Sequence, residues 1–178
     1  PPARQAGGRR SAAPGGGMAQ QAFLDRYAEI LGRMGRHPDK NIINQLTMMA
    51  GDVAKGSVKG MQADDLSGLL ASNLLRANAD CKLPIIYLMD SIMFNVRAGY
   101  PRIFAQPIVS LFMDTFRSGD DRVKASLNKL LANWAKRRPE HGALPFPVLG
   151  EIHRKLDPRF DVDRFVREQE ERFGRPAP

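Results

Sequence analysis

Placed on a helix, Tyr87, Asp90, Ser91 and Phe94 recur at i, i+3, i+4 and i+7 and fall on one stripe. The stripe carries a phenol, a carboxylate, a hydroxyl and a phenyl ring. All four lie within one otherwise apolar run, LPIIYLMDSIMFNV, from Leu83 to Val96. A carboxylate in such a run is costly unless it is paired or faces a wet groove. Asp90 therefore either pairs with a neighbouring helix or accepts a hydrogen bond from a ligand's hydroxyl or backbone amide. Tyr87 and Phe94 can flank a ring of that ligand. A second stripe, Arg122, Ser126, Lys129, Asn133 and Lys136, repeats at helical spacing and is cationic and polar. It fits a solvated face, or a surface on which Lys129 meets a phosphate.

Neither stripe is built like a reaction centre. His37, His141 and His153 do not stand at HExxH spacing, and there is no GxGxxG, Walker loop or GxSxG. A serine and an aspartate on one helix are not a triad without a placed base. Cys81 is the only cysteine, so neither an intrachain disulfide nor a cysteine-built zinc site is available. The expectation is a recognition module rather than an enzyme, with no cofactor and no metal.

With 178 residues, 43% hydrophobic and 26% charged, the chain is long enough for one domain with some tail. Its net charge of +8 favours an acidic partner such as nucleic acid, a phosphoprotein or anionic lipid. Arg4, Arg9 and Arg10 account for three of the eight, which leaves +5 for the remainder. No run approaches the roughly 18 apolar residues of a membrane span. Residues 1–17, PPARQAGGRRSAAPGGG, cannot bury enough apolar surface to order themselves and are expected to be a disordered leader. The helical domain is expected over 18–173, followed by a short disordered tail, 174–178.

The elements that must position the stripes are helices. Phe23, Tyr27, Ile30, Leu31 and Met34 mark a first helix from Gln20 to Met34, ended by Gly35 and Pro38. Asp39 reads as the N-cap of a second, with Ile43, Leu46, Ala50 and Val53 facing inward and Asn41, Asn44 and Met48 on another side. Ala63 to Ala77 is a third. The apolar run forms a central fourth helix, greasy nearly all round, with Pro84 in its first turn and Gly99 at its end. Apolar residues from Ile103 to Phe116 make a fifth segment, kinked or restarted at Pro107. Val123, Leu127, Leu130 and Trp134 turn the next helix, Asp120 to Arg138, toward the core. Two shorter helices follow, around Val148 to Leu156 and Val162 to Phe173. The class is all-α, with about eight helices stacked as in a right-handed solenoid.

The run KLPIIYLMDSIMFNV, then GYPRIFAQPIVSLF, then DDRVKASLNKLLANWAKR, resembles the CTD-interacting domain, with DKNIINQLTMMA similar to that family's second helix. The similarity is strongest to the Pcf-type factors of pre-mRNA cleavage, polyadenylation and termination, and covers roughly residues 20–157. It implies a right-handed superhelix of eight helices in a nuclear protein. It also implies binding of the heptad-repeat tail, YSPTSPS, of the largest RNA polymerase II subunit, in a groove between the second, fourth and seventh helices. Asn41, Ile43 and Asn44 would form one wall, Tyr87, Asp90 and Ser91 the floor, and Lys129 with Asn133 the other wall. Lys129, with Arg122 and Lys136 beside it, would read phosphate on the second-position serine. Phe94 stands where a basic residue is common in the family, and Asn133 where an aliphatic one is.

Two other partner classes fit parts of the pattern. VHS and ENTH domains of membrane traffic share the eight-helix superhelix and bind phosphoinositides or sorting peptides. The sequence between the leader and the second helix offers only Arg26, Arg33, Arg36 and Lys40 for a lipid headgroup, so no membrane partner is expected. RNA could meet the leader and the Lys136, Arg137, Arg138 cluster, alongside peptide binding. Other cleavage and polyadenylation subunits are expected partners by the same resemblance.

Overall fold

The apolar run becomes the body of a helix from Ala79 to Asn95 that packs against four others. The computed structural model describes residues 15–175. In chain order the helices are α1 (Gly15–Gly32), α2 (Lys40–Ala54), α3 (Ala63–Arg76), α4 (Ala79–Asn95), α5 (Tyr100–Ser118), α6 (Asp121–Trp134), α7 (Phe146–Leu156) and α8 (Val162–Phe173). One turn of 3₁₀-helix, Pro139–His141, lies between α6 and α7, and there is no strand among the described residues. The all-α expectation is met. Helix α1 already includes Gly15 to Gly17, which the sequence assigned to the leader. Residues 1–14 and 176–178 lie outside the described residues.

Helix α4 touches α2, α3, α5 and α6. Ile86, Leu88, Met89, Ile92 and Met93 are fully buried. Between Pro84 and Phe94 only the stripe of Tyr87, Asp90, Ser91 and Phe94 stays at least partly open, so the polar line of the helix body faces a groove. The helix starts earlier than the apolar run, at Ala79, with Asn78 at the N-cap position making no side-chain cap bond and Asp80 in the first turn complementing the helix dipole. Pro84 is therefore inside the helix rather than in its first turn, and one i→i−4 bond is given up there. Its buried ring and the surrounding core hold the helix through it. Lys82, also buried, makes an ion pair with Asp114 and ties α4 to α5.

Helix α5 likewise runs unbroken through Pro107, with Phe104, Ile108, Leu111 and Phe112 buried on one side of it. Packing of that face outweighs the lost bond. In chain order the cationic helix is α6, the sixth, where the resemblance implied the seventh; the α4 stripe lies between α2, which it meets through Ser91 and Thr47, and α6, which it meets through Asp90 and Trp134.

Helix α2 is fixed from both sides by tyrosines. The hydroxyl of Tyr27 on α1 donates to the Leu46 carbonyl at 3.2 Å, and that of Tyr100 on α5 to the Ala50 carbonyl at 2.9 Å. Burial raises both phenol pKa values, that of Tyr100 to about 12, so both remain donors. The α2 start is capped as expected, Asp39 Oδ1 accepting from the backbone N–H groups of Asn41 and Ile42 at 2.8 and 3.1 Å.

Gly142, at φ +81°, lets the loop after α6 close onto the end of α4: a Cβ there would strike the Met93 carbonyl and lie 2.7 Å from Phe94 Cα. Helices α7 and α8 then clasp each other around His153, which stacks on Phe160 with centroids 4.6 Å apart and meets Phe165 at 5.4 Å.

Burial among these rings lowers the His153 pKa, so the fold favours neutral imidazole. Its contribution is complete above the ordinary histidine value near pH 6.5 and is lost as pH falls through the lowered folded value. The urea midpoint of the wild type should drop as pH falls from about 7 through the histidine range, and His153→Phe should flatten that slope. Parallel curves for the two proteins would contradict this account of the α7–α8 contact.

Candidate peptide groove

Asp90 is the most heavily used side chain on the α4 stripe. Its Oδ1 accepts from the indole Nε1–H of Trp134 and from Arg137, each at 2.8 Å. Trp134 is fully buried and packs on Phe112, whereas Arg137 follows α6 and is about a quarter exposed. Of the two roles open to Asp90 in the sequence, pairing with a neighbouring helix is thus occupied by one oxygen. Oδ2 takes no hydrogen bond among the described residues, and the side chain keeps 19% of its surface. It can serve both roles.

The Arg137 guanidinium also lies 4.5 Å from the centroid of the Phe94 ring, in cation–π geometry. Sequence reasoning assigned Arg137 to a basic cluster for RNA and chose Lys136 for the phosphate wall. In the structure Lys136 is fully turned out to solvent, while Arg137 faces α4. Arg137 stands four residues past Asn133, but beyond the end of α6, where helical spacing no longer places a side chain. There it sets a cation against the face of Phe94.

Ser91 belongs to a polar seam between α4 and α2. Thr47 Oγ1 donates to the Ile43 carbonyl at 2.7 Å and lies 2.8 Å from Ser91 Oγ, which also accepts from Asn95 Nδ2 at 3.2 Å. Since the Thr47 proton is committed to Ile43, Ser91 donates to Thr47. Its hydroxyl can then only accept from a ligand. Thr47 is a second residue the sequence reading passed over, and a threonine on a helix gives no signal of what it meets.

Tyr87 stands at the opposite end of the stripe in a groove of about 420 Å³. Arg36, His37 and Pro38 from the α1–α2 loop line one side, and Arg122, Val123 and Ser126 of α6 the other. The structure thus brings Tyr87 to Arg122, Asp90 to Phe94, and Ser91 to α2. Asn41 and Asn44 are exposed at the start of α2 and Ile43 is half-buried behind them. Asn133 is half-buried and Lys129 exposed, both on α6. None of these five has a side-chain hydrogen bond to the α4 stripe among the described residues.

Chemically the floor, Asp90 Oδ2 with Ser91 Oγ, offers acceptors to amides and hydroxyls. Its rim of Arg122, Lys129, Arg137 and Lys136 offers donors to an anion. No cluster of three His, Cys, Asp or Glu side chains suited to a metal occurs among the described residues, and no helix among them is long and apolar enough to cross a membrane.

This architecture is that of an all-helical module with a polar-floored groove along its central helix. Residues 39–139 match the CID domain model, and the chain belongs to that family. It is 34% identical over 138 residues to polyadenylation and cleavage factor homolog 11 of Caenorhabditis elegans, covering 76% of this chain and 16% of that protein. It is 31% identical over 113 residues to an uncharacterized protein of Schizosaccharomyces pombe, covering 64% and 17%. The chain therefore spans about a sixth of the length of these relatives. The crystal structure of the RPR of Pcf11 superposes with a TM-score of 0.63 at 22% identity, over 75% of this chain and 97% of that one, a likeness of fold.

Because Asp90 holds the indole, its removal is a test of architecture as well as of binding. Asp90→Ala should lose about 2 kcal/mol of stability, leaving the Trp134 N–H buried without an acceptor, and Asp90→Asn distinctly less. Urea denaturation followed by the single tryptophan's emission measures both. Equal stability of wild type and Asp90→Ala would sink the assignment of this bond.

Proposed function

We propose that this domain binds the heptad-repeat tail, YSPTSPS, of the largest RNA polymerase II subunit, with phosphate on the second-position serine. The observation that carries the reading is the division of the groove: an open Asp90 oxygen at the floor and uncommitted cations on the α6 rim. A turn of the tail would donate an amide or hydroxyl to Asp90 Oδ2. Tyr87 and Phe94 would flank its tyrosine and proline rings, with Asn41, Ile43 and Asn44 as the α2 wall and Asn133 opposite. The phosphate would be met by Lys129, with Arg122 and Lys136 nearby and Arg137 as an addition to that set. Lysine gives a point charge rather than a bidentate fork, so phosphate would add to binding without being indispensable.

On this reading the parent protein is nuclear and couples transcription to mRNA 3′-end cleavage, polyadenylation and termination, in the company of other cleavage and polyadenylation subunits. Support comes from the family and from the worm relative, a polyadenylation and cleavage factor homolog. RNA contact through basic segments is a secondary part of the reading and should show itself as steep salt dependence. The CID match favours this reading over a membrane-traffic adaptor.

Fluorescence anisotropy of heptad peptides, unmodified or phosphorylated at the second or the fifth serine, tests the reading. The second-serine form should bind best. Lys129→Glu should weaken it roughly tenfold while changing the unmodified peptide little. Indifference of all three peptides to the substitution would remove Lys129 from the site, and absence of any peptide binding would overturn the function.

A further inference from the structure

A second concavity, of about 480 Å³, opens where α4 hands over to α5. Its walls are unusually rigid for a surface pocket, with Pro101, Pro139, Pro145, Pro147 and Phe146 supplying the apolar part. Arg97 and Arg102 stand at its rim, both exposed, and neither pairs with a carboxylate among the described residues. Glu140 is the one acidic residue in the lining. The turn carrying Arg97 is strained: Arg97 has φ 64° and Ala98 φ 32°, followed by Gly99 at 85°. Two consecutive non-glycine residues in the left-handed region cost free energy, and such strain persists where the surrounding structure imposes a position.

This pocket adjoins a second one at Ala98, which also lines a smaller cavity of about 380 Å³ with Thr47, Met48 and Asn95. Thr47 and Asn95 are the residues hydrogen-bonded to Ser91. The smaller cavity thus lies between the Ser91 seam and the proline-walled pocket. Along α4, Asp90 and Arg97 are about 10 Å apart, which some three extended peptide residues can span.

We propose that this proline-walled pocket takes a second phosphorylated heptad of the tail already seated on Asp90. A phosphate of that repeat sits between Arg97 and Arg102, and the proline beside it packs on the apolar wall. The inference rests on the tail-binding reading and deepens it: the domain reads two consecutive repeats, not one. Charge complementarity selects this occupant over an apolar or basic segment, and closeness to the Ser91 end of the groove, about 10 Å along α4, selects the same chain over a separate one.

The test compares two peptides on the wild type and on Arg102→Glu, alone and combined with Arg97→Glu. One peptide carries a single heptad phosphorylated at its second-position serine; the other adds a second phosphorylated heptad. Both proteins should bind the short peptide equally, as judged for Arg102→Glu alone. The long peptide should bind the wild type about fivefold more tightly than the variant, beyond any gain from having two registers, which both proteins share. In NMR titrations of the wild type, the amides of Ala98, Gly99 and Ala143 should move with the long peptide and not with the short one. Equal affinity of wild type and variant for the long peptide overturns the proposal. So does tight, Arg102-dependent binding of an unrelated phosphoserine-proline peptide, which would give the pocket a different partner. Failure of the short peptide on both proteins instead overturns the tail-binding reading beneath it.

Discussion

One carboxylate oxygen sets the geometry of the groove. Asp90 Oδ1 receives a buried indole N–H and a half-buried guanidinium from the same helix, so α6 can sit on α4 in one register. A lone ionised carboxylate at such a position would be expelled or neutralised; with two donors, one of them charged, it becomes a clamp. Trp134 reaches Asp90 from within the core, where it packs on Phe112. Arg137 reaches it from the rim and covers Phe94 on the way. The two contacts enclose the stripe between them, and Oδ2 is what the clamp leaves for a ligand.

The other wall is held by different means. Helix α2 has no charged tie to α4; it is located by two buried tyrosine hydroxyls and by the Thr47–Ser91 bond. The tyrosines stay protonated because burial raises their pKa values, so the donors that position α2 do not switch off in the physiological range. A groove with both walls set before ligand arrives loses less conformational freedom on binding, which favours an extended, flexible partner that must itself be ordered.

Much of this was written in the periodicity. The stripe at 87, 90, 91 and 94 and the cap at Asp39 follow from spacing and residue type, and both stand in the structure as expected. What the sequence could not show are competitions decided by tertiary packing. Pro84 read as a first-turn residue and Pro107 as a kink or restart because proline opposes helix interiors locally, yet both are inside helices whose buried faces outweigh one lost bond. Arg137 rather than Lys136 faces α4 because the chain tightens beyond Trp134 into successive turns, Lys136 N–H bonding to Asn133 O and Arg137 N–H to Trp134 O, and no repeat of 3.6 residues extends reliably past a helix end.

The family match ends at residue 139, but the physical unit does not. Phe146 is buried at the start of α7, lines the proline-walled pocket and stacks against Phe173 at 6.1 Å, near the end of α8. Gly150 on α7 admits Val162 so closely that a Cβ would lie 2.7 Å from it. Helix α8 itself buries no residue fully, so it contributes little core of its own. Its role is to brace α7 and, through Phe146, the loop in which Gly142 meets the end of α4. The strained turn at Arg97 to Gly99 lies just beyond that meeting point. Shortening the chain to the matched segment would remove this support while leaving every groove residue in place, and the end of α4 would be the first part of the groove to loosen.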